Sequence, residues 1–157
     1  MYRIGFSEDI HQKQEGRTLV LAGVKFPNEV GLLGHSDADV VTHAVAESIL
    51  GALALGDLGK HFPDNDPKFE GISSLILLDK VVAMMEKEKY SISNIDIQVC
   101  CKSPKLSNKI AEMTEIIAEH LHTDVKNVSI KACSFNGVGP IGEGKAIKST
   151  SIVLLEK

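Results

Sequence analysis

Apolar residues recur at helical spacing in three stretches of the chain and alternate with polar ones in several others. After Ser36 an apolar run through Ala44, Val45, Ile49 and Leu50 predicts a helix reaching about Leu55. Ser36 with Asp39 fits a capping box and sets its start at Ser36 or Asp37. A second helix, capped by Ser73, runs to about Lys89. Leu75, Leu78, Val81, Val82 and Met85 form its apolar stripe and Glu86 to Lys89 its solvated end. A third helix carries Ile110, Met113, Ile117 and Leu121 on one face. His120 and His122 close it, where they favour the dipole. The methionines read as core filler.

The strand signals are shorter. Tyr2 to Gly5 reads as a first strand, and Gln12 to Arg17, polar and containing Gly16, as a turn or flexible loop. Leu19-Val20-Leu21 and Val24-Lys25-Phe26 flank Ala22-Gly23 as a hairpin, which Pro27-Asn28-Glu29 then breaks. Gly56-Asp57-Leu58-Gly59 ends the first helix, with glycine available for a left-handed cap, and a loop with two prolines follows. Ile95 to Val99, Val128 to Ala132 and Ile147 to Leu155 read as strands. Pro104 stops the first of these and suits the start of the third helix. Gly137, Gly139, Gly142 and Gly144 lead into a strand, not a helix, which argues against a Rossmann nucleotide fold. The order β-ββ-α-α-β-α-β-β predicts an α+β fold: one domain over residues 1–157, a mixed β-sheet with helices packed on one face.

At 157 residues and 43% hydrophobic, the chain can bury a substantial core. Aromatics are 4% and Trp is absent, so that core rests on Leu, Ile, Val and Ala. A net charge of −4 without a basic stripe argues against a nucleic-acid partner. No stretch suits a membrane span, and Met1 to Gly5 lacks a signal-peptide core. Cys100, Cys101 and Cys133 are odd in number and form no C-x-x-C, so buried reduced thiols are expected. A cytoplasmic location is expected over a plastid-type organelle, since no presequence is evident.

The densest chemistry lies in Gly34-His35-Ser36-Asp37-Ala38-Asp39-Val40-Val41-Thr42-His43. Free N–H groups at a helix start suit a phosphate, and Asp39 and His43 sit four apart on one helix face. On this stretch alone a structural reading, with two caps and a packed helix histidine, fits equally well. Asp9 and His11 share one side of an extended strand and make a metal half-site. Together Asp9, His11 and His43 form a three-ligand set with one open position, the form of a catalytic zinc site. That open position can accept a phosphate oxygen.

Several motifs then converge. Asp9-Ile10-His11, His35-Ser36-Asp37-Ala38-Asp39-Val40 with His43, Leu55-Gly56-Asp57-Leu58-Gly59 and Phe62-Pro63-Asp64-Asn65-Asp66-Pro67 resemble the 2-C-methyl-D-erythritol 2,4-cyclodiphosphate synthases. The resemblance continues through Pro104-Lys105, Lys131-Ala132 and Gly142-Glu143-Gly144 and covers essentially the whole chain. It implies conversion of 4-diphosphocytidyl-2-C-methyl-D-erythritol 2-phosphate to the cyclic diphosphate and CMP, in the non-mevalonate route to isoprenoids. It also implies a homotrimer with active sites between subunits. Zinc would sit on Asp9, His11 and His43, and a second divalent cation, Mg2+ or Mn2+, on the substrate diphosphate. By the same resemblance His35 and Ser134 are catalytic. His35 and Ser36 would contact the phosphates and the methylerythritol; Asp57, Leu58, Gly59, Phe62, Pro63, Asp64, Asn65 and Asp66 would line the substrate pocket, and Asp9, Ile10 and His11 would also meet the substrate. Cys101, Lys102, Ser103, Pro104, Lys105, Leu106 and Ser107, with Cys133, Ser134 and Asn136, would form the cytidine and phosphate side.

There are departures from the family pattern. Gly5-Phe6-Ser7-Glu8 replaces a glycine-histidine-glycine type of turn, and Cys133 a threonine or lysine. Asn136 stands where a glutamate commonly meets the second cation; an amide offers an oxygen without the charge. Pro140 and Glu143 replace residues that line an axial cavity for isoprenoid diphosphates in some members, and Glu143 would repel such an anion. Two other classes compete. A metal-dependent phosphate-ester hydrolase would release inorganic phosphate and often needs a second close metal. A binding module with structural zinc would want four protein ligands, for which the cysteines are not spaced.

Overall fold

The computed structural model describes residues 1–157. Alternation of side chains persists far beyond the first four strand residues, and β1 runs from Tyr2 to Leu21. Its first half pairs antiparallel with β5, Ala146–Glu156, from Tyr2↔Glu156 to Gln12↔Ala146. Its second half pairs with β2, Val24–Leu32. The expected loop at 12–17 is therefore strand. Lys13 and Gln14 pair with Leu32 and Gly31, and the ladder is irregular between Gln14 and Thr18 and again between Thr18 and Leu19. Backbone pairing to a second strand overrides a polar composition. The hairpin is where expected: Leu21 faces Val24, with Ala22 and Gly23 both at positive φ, as a two-residue turn requires. Pro27 to Glu29 do not end β2; they leave the ladder as a bulge between Phe26 and Val30 and the strand resumes. That is tolerable because β2 is an edge strand.

β3, Ser91–Cys100, lies beside β5, and β4, Val128–Cys133, pairs with β3 in parallel. The order is β2-β1-β5-β3-β4, a mixed sheet as predicted. Helix α1, Val40–Ala52, packs on β1 and β5. The approach is close: a Cβ on Gly5 would stand 1.9 Å from the Ser48 carbonyl oxygen. α1 starts four residues later than Ser36 and stops short of Leu55, with Ala54 and Gly56 turning left-handed after it. A short α2, Leu58–His61, follows.

α3, Ser74–Lys87, begins where expected, but Ser73 makes no side-chain cap bond; the Asp37 carboxylate accepts from the Ser74 N–H instead (3.0 Å). Its buried stripe contains Leu77 in place of Leu75. α4, Ile110–His120, starts after a turn-rich segment, so Pro104 is not at its first turn. His120 and His122 do more than meet a dipole: each lies 2.6 Å from a carboxylate of α3, Asp79 and Glu86 respectively. The Gly-rich connection holds a turn at Phe135–Gly137 and a four-residue α5, Gly139–Gly142. The core fills the space between the helices and one sheet face, through Ile95, Ile97, Val99, Ile147, Val153 and Leu155. Cys100, Cys101 and Cys133 are free, and burial pushes the first two thiols up to about 11. On the opposite face Tyr2, Ile4, Phe6, Ile10 and Ile152 are exposed.

Candidate metal centre and substrate cavity

Strand alternation aims Asp9 and His11 from β1 toward the helices, and the first turn of α1 brings His43 to meet them. His11 Nε2 is 2.9 Å and His43 Nδ1 3.4 Å from the same Asp9 carboxylate oxygen. One donor atom from each lies within 4.8 Å of the others, a triad able to hold a divalent metal. The remaining ring nitrogens are occupied. His11 Nδ1 faces the Leu33 carbonyl oxygen at 2.9 Å; a carbonyl only accepts, so Nδ1 carries a proton and Nε2 is left for a metal. Burial pushes the Asp9 carboxyl up, but hydrogen bonds and charge from His11 and His43 outweigh it and hold it well below the usual carboxylate range. Burial lowers His43, yet Asp9, Asp39 and Asp37 together raise it above an ordinary histidine. Both partners thus favour a site that expects positive charge.

The triad opens into a cavity of about 240 Å³ also lined by Gly34, His35, Ser36, Glu47, Leu58, Gly59, Phe62, Asp64, Phe69 and Leu77. His35 Nε2 donates to the Asp66 carbonyl oxygen at 3.1 Å, which ties the 34–37 loop to the proline-rich loop. Asp57 caps α2 through the Lys60 N–H (2.9 Å), and Asp66 accepts from the Lys68 N–H (3.1 Å). Ile10 points to the other sheet face and is exposed there.

The expected phosphate cradle at the start of α1 is not free. Asp39, fully buried, is the true N-cap, and its carboxylate takes the Thr42 N–H (3.1 Å) and the Thr42 hydroxyl (2.7 Å). It also takes the hairpin N–H groups of Ala22 (2.9 Å) and Gly23 (2.8 Å). The Asp39 carboxyl, which burial pushes up, already fills that helix end and braces the hairpin, leaving no free N–H cradle there for a ligand.

The residues expected on the cytidine side form a separate group. The Cys101 N–H donates to the Cys133 carbonyl oxygen (2.9 Å), so the 101–107 turn and the 133–136 segment adjoin. Ser134 and Asn136 are exposed, and the Ser134 hydroxyl accepts from the Asn136 N–H (3.2 Å). Leu106 is buried in the core. None of this group lines the metal-side cavity.

The profile of the YgbB family matches residues 2–156. The chain belongs to the YgbB family. It is 52% identical over 155 residues to the 2-C-methyl-D-erythritol 2,4-cyclodiphosphate synthase of Brachyspira hyodysenteriae, covering 99% of this chain and 98% of that one. It is 50% identical over 155 residues to the synthase of Clostridium perfringens, covering 99% of each. Among solved structures, IspF of Plasmodium falciparum in complex with CDP superposes with a TM-score of 0.86 at 38% identity, over 98% of this chain and 95% of that one. The bifunctional IspDF of Campylobacter jejuni gives a TM-score of 0.94 at 36% identity. This chain covers 42% of that longer protein.

In this YgbB-family chain, four residues around the site were not singled out as site residues from the sequence. Arg17 donates to the Gly34 carbonyl (2.6 Å) and the Ser36 carbonyl (2.7 Å), bracketing His35. Glu47 accepts from the Ser7 hydroxyl (3.0 Å) and the Leu58 N–H (3.2 Å), holding α2 against the cavity. Asp37 and Ser74 stand behind His43. Glu47 had a readable signal, a lone charge inside an apolar helix; Arg17 and Ser74 had none, since their partners are distant in sequence.

Proposed function

We propose that this chain is a cyclising, CMP-releasing phosphorus–oxygen lyase acting on 4-diphosphocytidyl-2-C-methyl-D-erythritol 2-phosphate. The observation that carries this reading is the Asp9-His11-His43 triad opening beside His35 and Ser36. It stands in a chain half identical, end to end, to synthases of that name. An oxygen of the 2-phosphate attacks the β-phosphorus of the diphosphate; the bond from that phosphorus to the CMP oxygen breaks, and the electron pair leaves on CMP. No side-chain nucleophile is needed, so the protein's part is positioning and charge compensation.

One carboxylate and two imidazoles, with a fourth position facing a cavity, are the donor set that zinc favours. Bound zinc supplies Lewis-acid neutralisation of a phosphate oxygen. His35 and Ser36 orient the phosphates beside it, while Leu58, Gly59, Phe62 and Asp64 enclose the methylerythritol. A second cation, Mg2+ or Mn2+, would ride on the diphosphate, with Asn136 offering only a neutral oxygen.

The cytidine side is supplied by Cys101 to Ser107 and Cys133 to Asn136 of a neighbouring copy, with Ser134 as the hydroxyl beside the reacting phosphate. Two facts support a trimer with shared sites: the separation of the two residue groups within one chain, and the uncovered apolar face at Tyr2, Ile4, Phe6, Ile10 and Ile152. The three free cysteines suit a reducing cytoplasm, and no helix is long and apolar enough to cross a membrane.

The test is incubation with the diphosphocytidyl substrate, Zn2+ and Mg2+, followed by phosphorus NMR. The cyclic diphosphate with an equal amount of CMP is expected. Inorganic phosphate as product would make the chain a hydrolase, and intact substrate with zinc bound would remove the enzyme assignment.

A further inference from the structure

The metal-facing nitrogen of His43 is chosen by groups from outside its own helix. His43 reaches the triad through Nδ1. Its other nitrogen, Nε2, lies 2.8 Å from the Ser74 hydroxyl oxygen at the first residue of α3 and 3.1 Å from the Ser36 hydroxyl oxygen. Ser74 is fully buried. Its hydroxyl donates to one oxygen of the Asp37 carboxylate, whose other oxygen accepts from the Ser74 N–H at 3.0 Å.

Donor and acceptor capacities order this chain in one direction. An ionised carboxylate only accepts, so the single hydroxyl proton of Ser74 points at Asp37. The Ser74 oxygen can then only accept from His43, so Nε2 carries the ring proton. That leaves the Nδ1 lone pair free on the side of Asp9 and His11. A serine turned the other way would place the proton on Nδ1 and close the site to a cation.

We propose that Asp37 and Ser74 are positioning residues that set the tautomer and ring orientation of His43 for metal binding. They do so as an acceptor relay running from Asp37 in the 34–37 loop through Ser74 at the start of α3 to His43 of the triad. The inference rests on the metal reading above. It assigns Asp37 and Ser74 a role beyond capping α3, and it makes the packing of α3 against α1 part of the metal site. Outer partners of metal-bound histidines are typically worth about 10–100-fold in affinity.

The test is zinc affinity by competition with a chromophoric chelator, on the full chain, for the wild type and four variants. His43→Ala removes a ligand. Ser74→Ala removes the relay. Asp37→Asn keeps the shape but turns an amide N–H toward groups that now donate to the carboxylate: the Ser74 hydroxyl and the N–H groups of Ser74 and Asp39. Ser73→Ala, at a hydroxyl with no cap bond, controls for altering the start of α3. The expected result is zinc binding weakened about 10–100-fold in Ser74→Ala and Asp37→Asn, and unchanged in Ser73→Ala. In the zinc-loaded wild type the His43 Nε2–H should give a slowly exchanging proton resonance in 1H–15N spectra, lost or shifted upfield in Ser74→Ala. A merely structural serine would lower the Tm without moving that resonance. Wild-type affinity in Ser74→Ala and Asp37→Asn, with binding lost in His43→Ala, overturns the relay and leaves the metal site standing. Equal affinity in wild type and His43→Ala overturns the metal reading, and the relay with it. Should Ser74→Ala not fold, Asp37→Asn decides alone.

Discussion

Single side chains in this protein hold pieces of backbone that the sequence keeps far apart. Asp39 satisfies both N–H groups of a hairpin turn and the first turn of α1. Arg17 does the converse, its guanidinium filling the two carbonyls on either side of His35. A planar fork can span both; an ammonium cannot. Arg17→Ala should therefore leave the triad and its zinc content intact but let the His35 loop drift. A misplacement of about 1 Å at a reacting phosphate can cost on the order of 100-fold in rate. The expected outcome is kcat lowered about 10–100-fold at full zinc occupancy, measured by steady-state kinetics with metal analysis, and only weak rescue by Arg17→Lys. Arg17 was not legible as a site residue, because a polar stretch around Gly16 looks like any loop; its function exists only through two carbonyls nearly twenty positions away.

At the scale of elements, the site depends on how closely one helix lies on one strand. β1 carries Asp9 and His11, α1 carries His43, and at Gly5 the two approach so closely that there is no room for a Cβ. Gly5→Ala must push α1 off the strand, because the contact is with helix backbone and not with a flexible side-chain end. Overpacking of this kind costs about 1–3 kcal/mol. A lower denaturation midpoint is expected together with weakened zinc binding, since the same displacement opens the triad; unaltered zinc affinity at reduced stability would show that the two are not coupled. The helices themselves were readable from periodicity, and their apolar stripes are buried nearly as expected. The extent of β1 was not. Residues 12–17 have no strand composition; Gln12 is held by β5, and Lys13 and Gln14 by β2, partners that no local pattern announces.

For the whole molecule, the balance of exposed and buried faces matters most. The helices cover one side of the sheet, and the other presents Phe6 opposite Ile152 in register, both exposed. A patch of this kind is costly in water and suits burial between identical copies. In the trimer proposed above, Phe6→Glu combined with Ile152→Glu should release chains of 17.0 kDa in light scattering. Activity should fall with the assembly, because the cytidine-side group would then have no metal-side cavity to face. A trimer that persists with both glutamates in place would put the contact elsewhere.

From the sequence alone came the α+β class, the helix faces, the hairpin and the donor set, because each rests on local rules: side-chain period, turn chemistry, and the types of atom that ligate a cation. Its resemblance to a family extended these to a reaction. What only the tertiary structure decided is which groups meet. It made the capping residue Asp39 a brace for the hairpin as well, set Ser74 and Asp37 behind the metal-side histidine, and placed Arg17 around His35. It also kept the 101–107 and 133–136 segments off the metal-side cavity. These are long-range juxtapositions, fixed by strand register and by helix packing, and no local pattern encodes them.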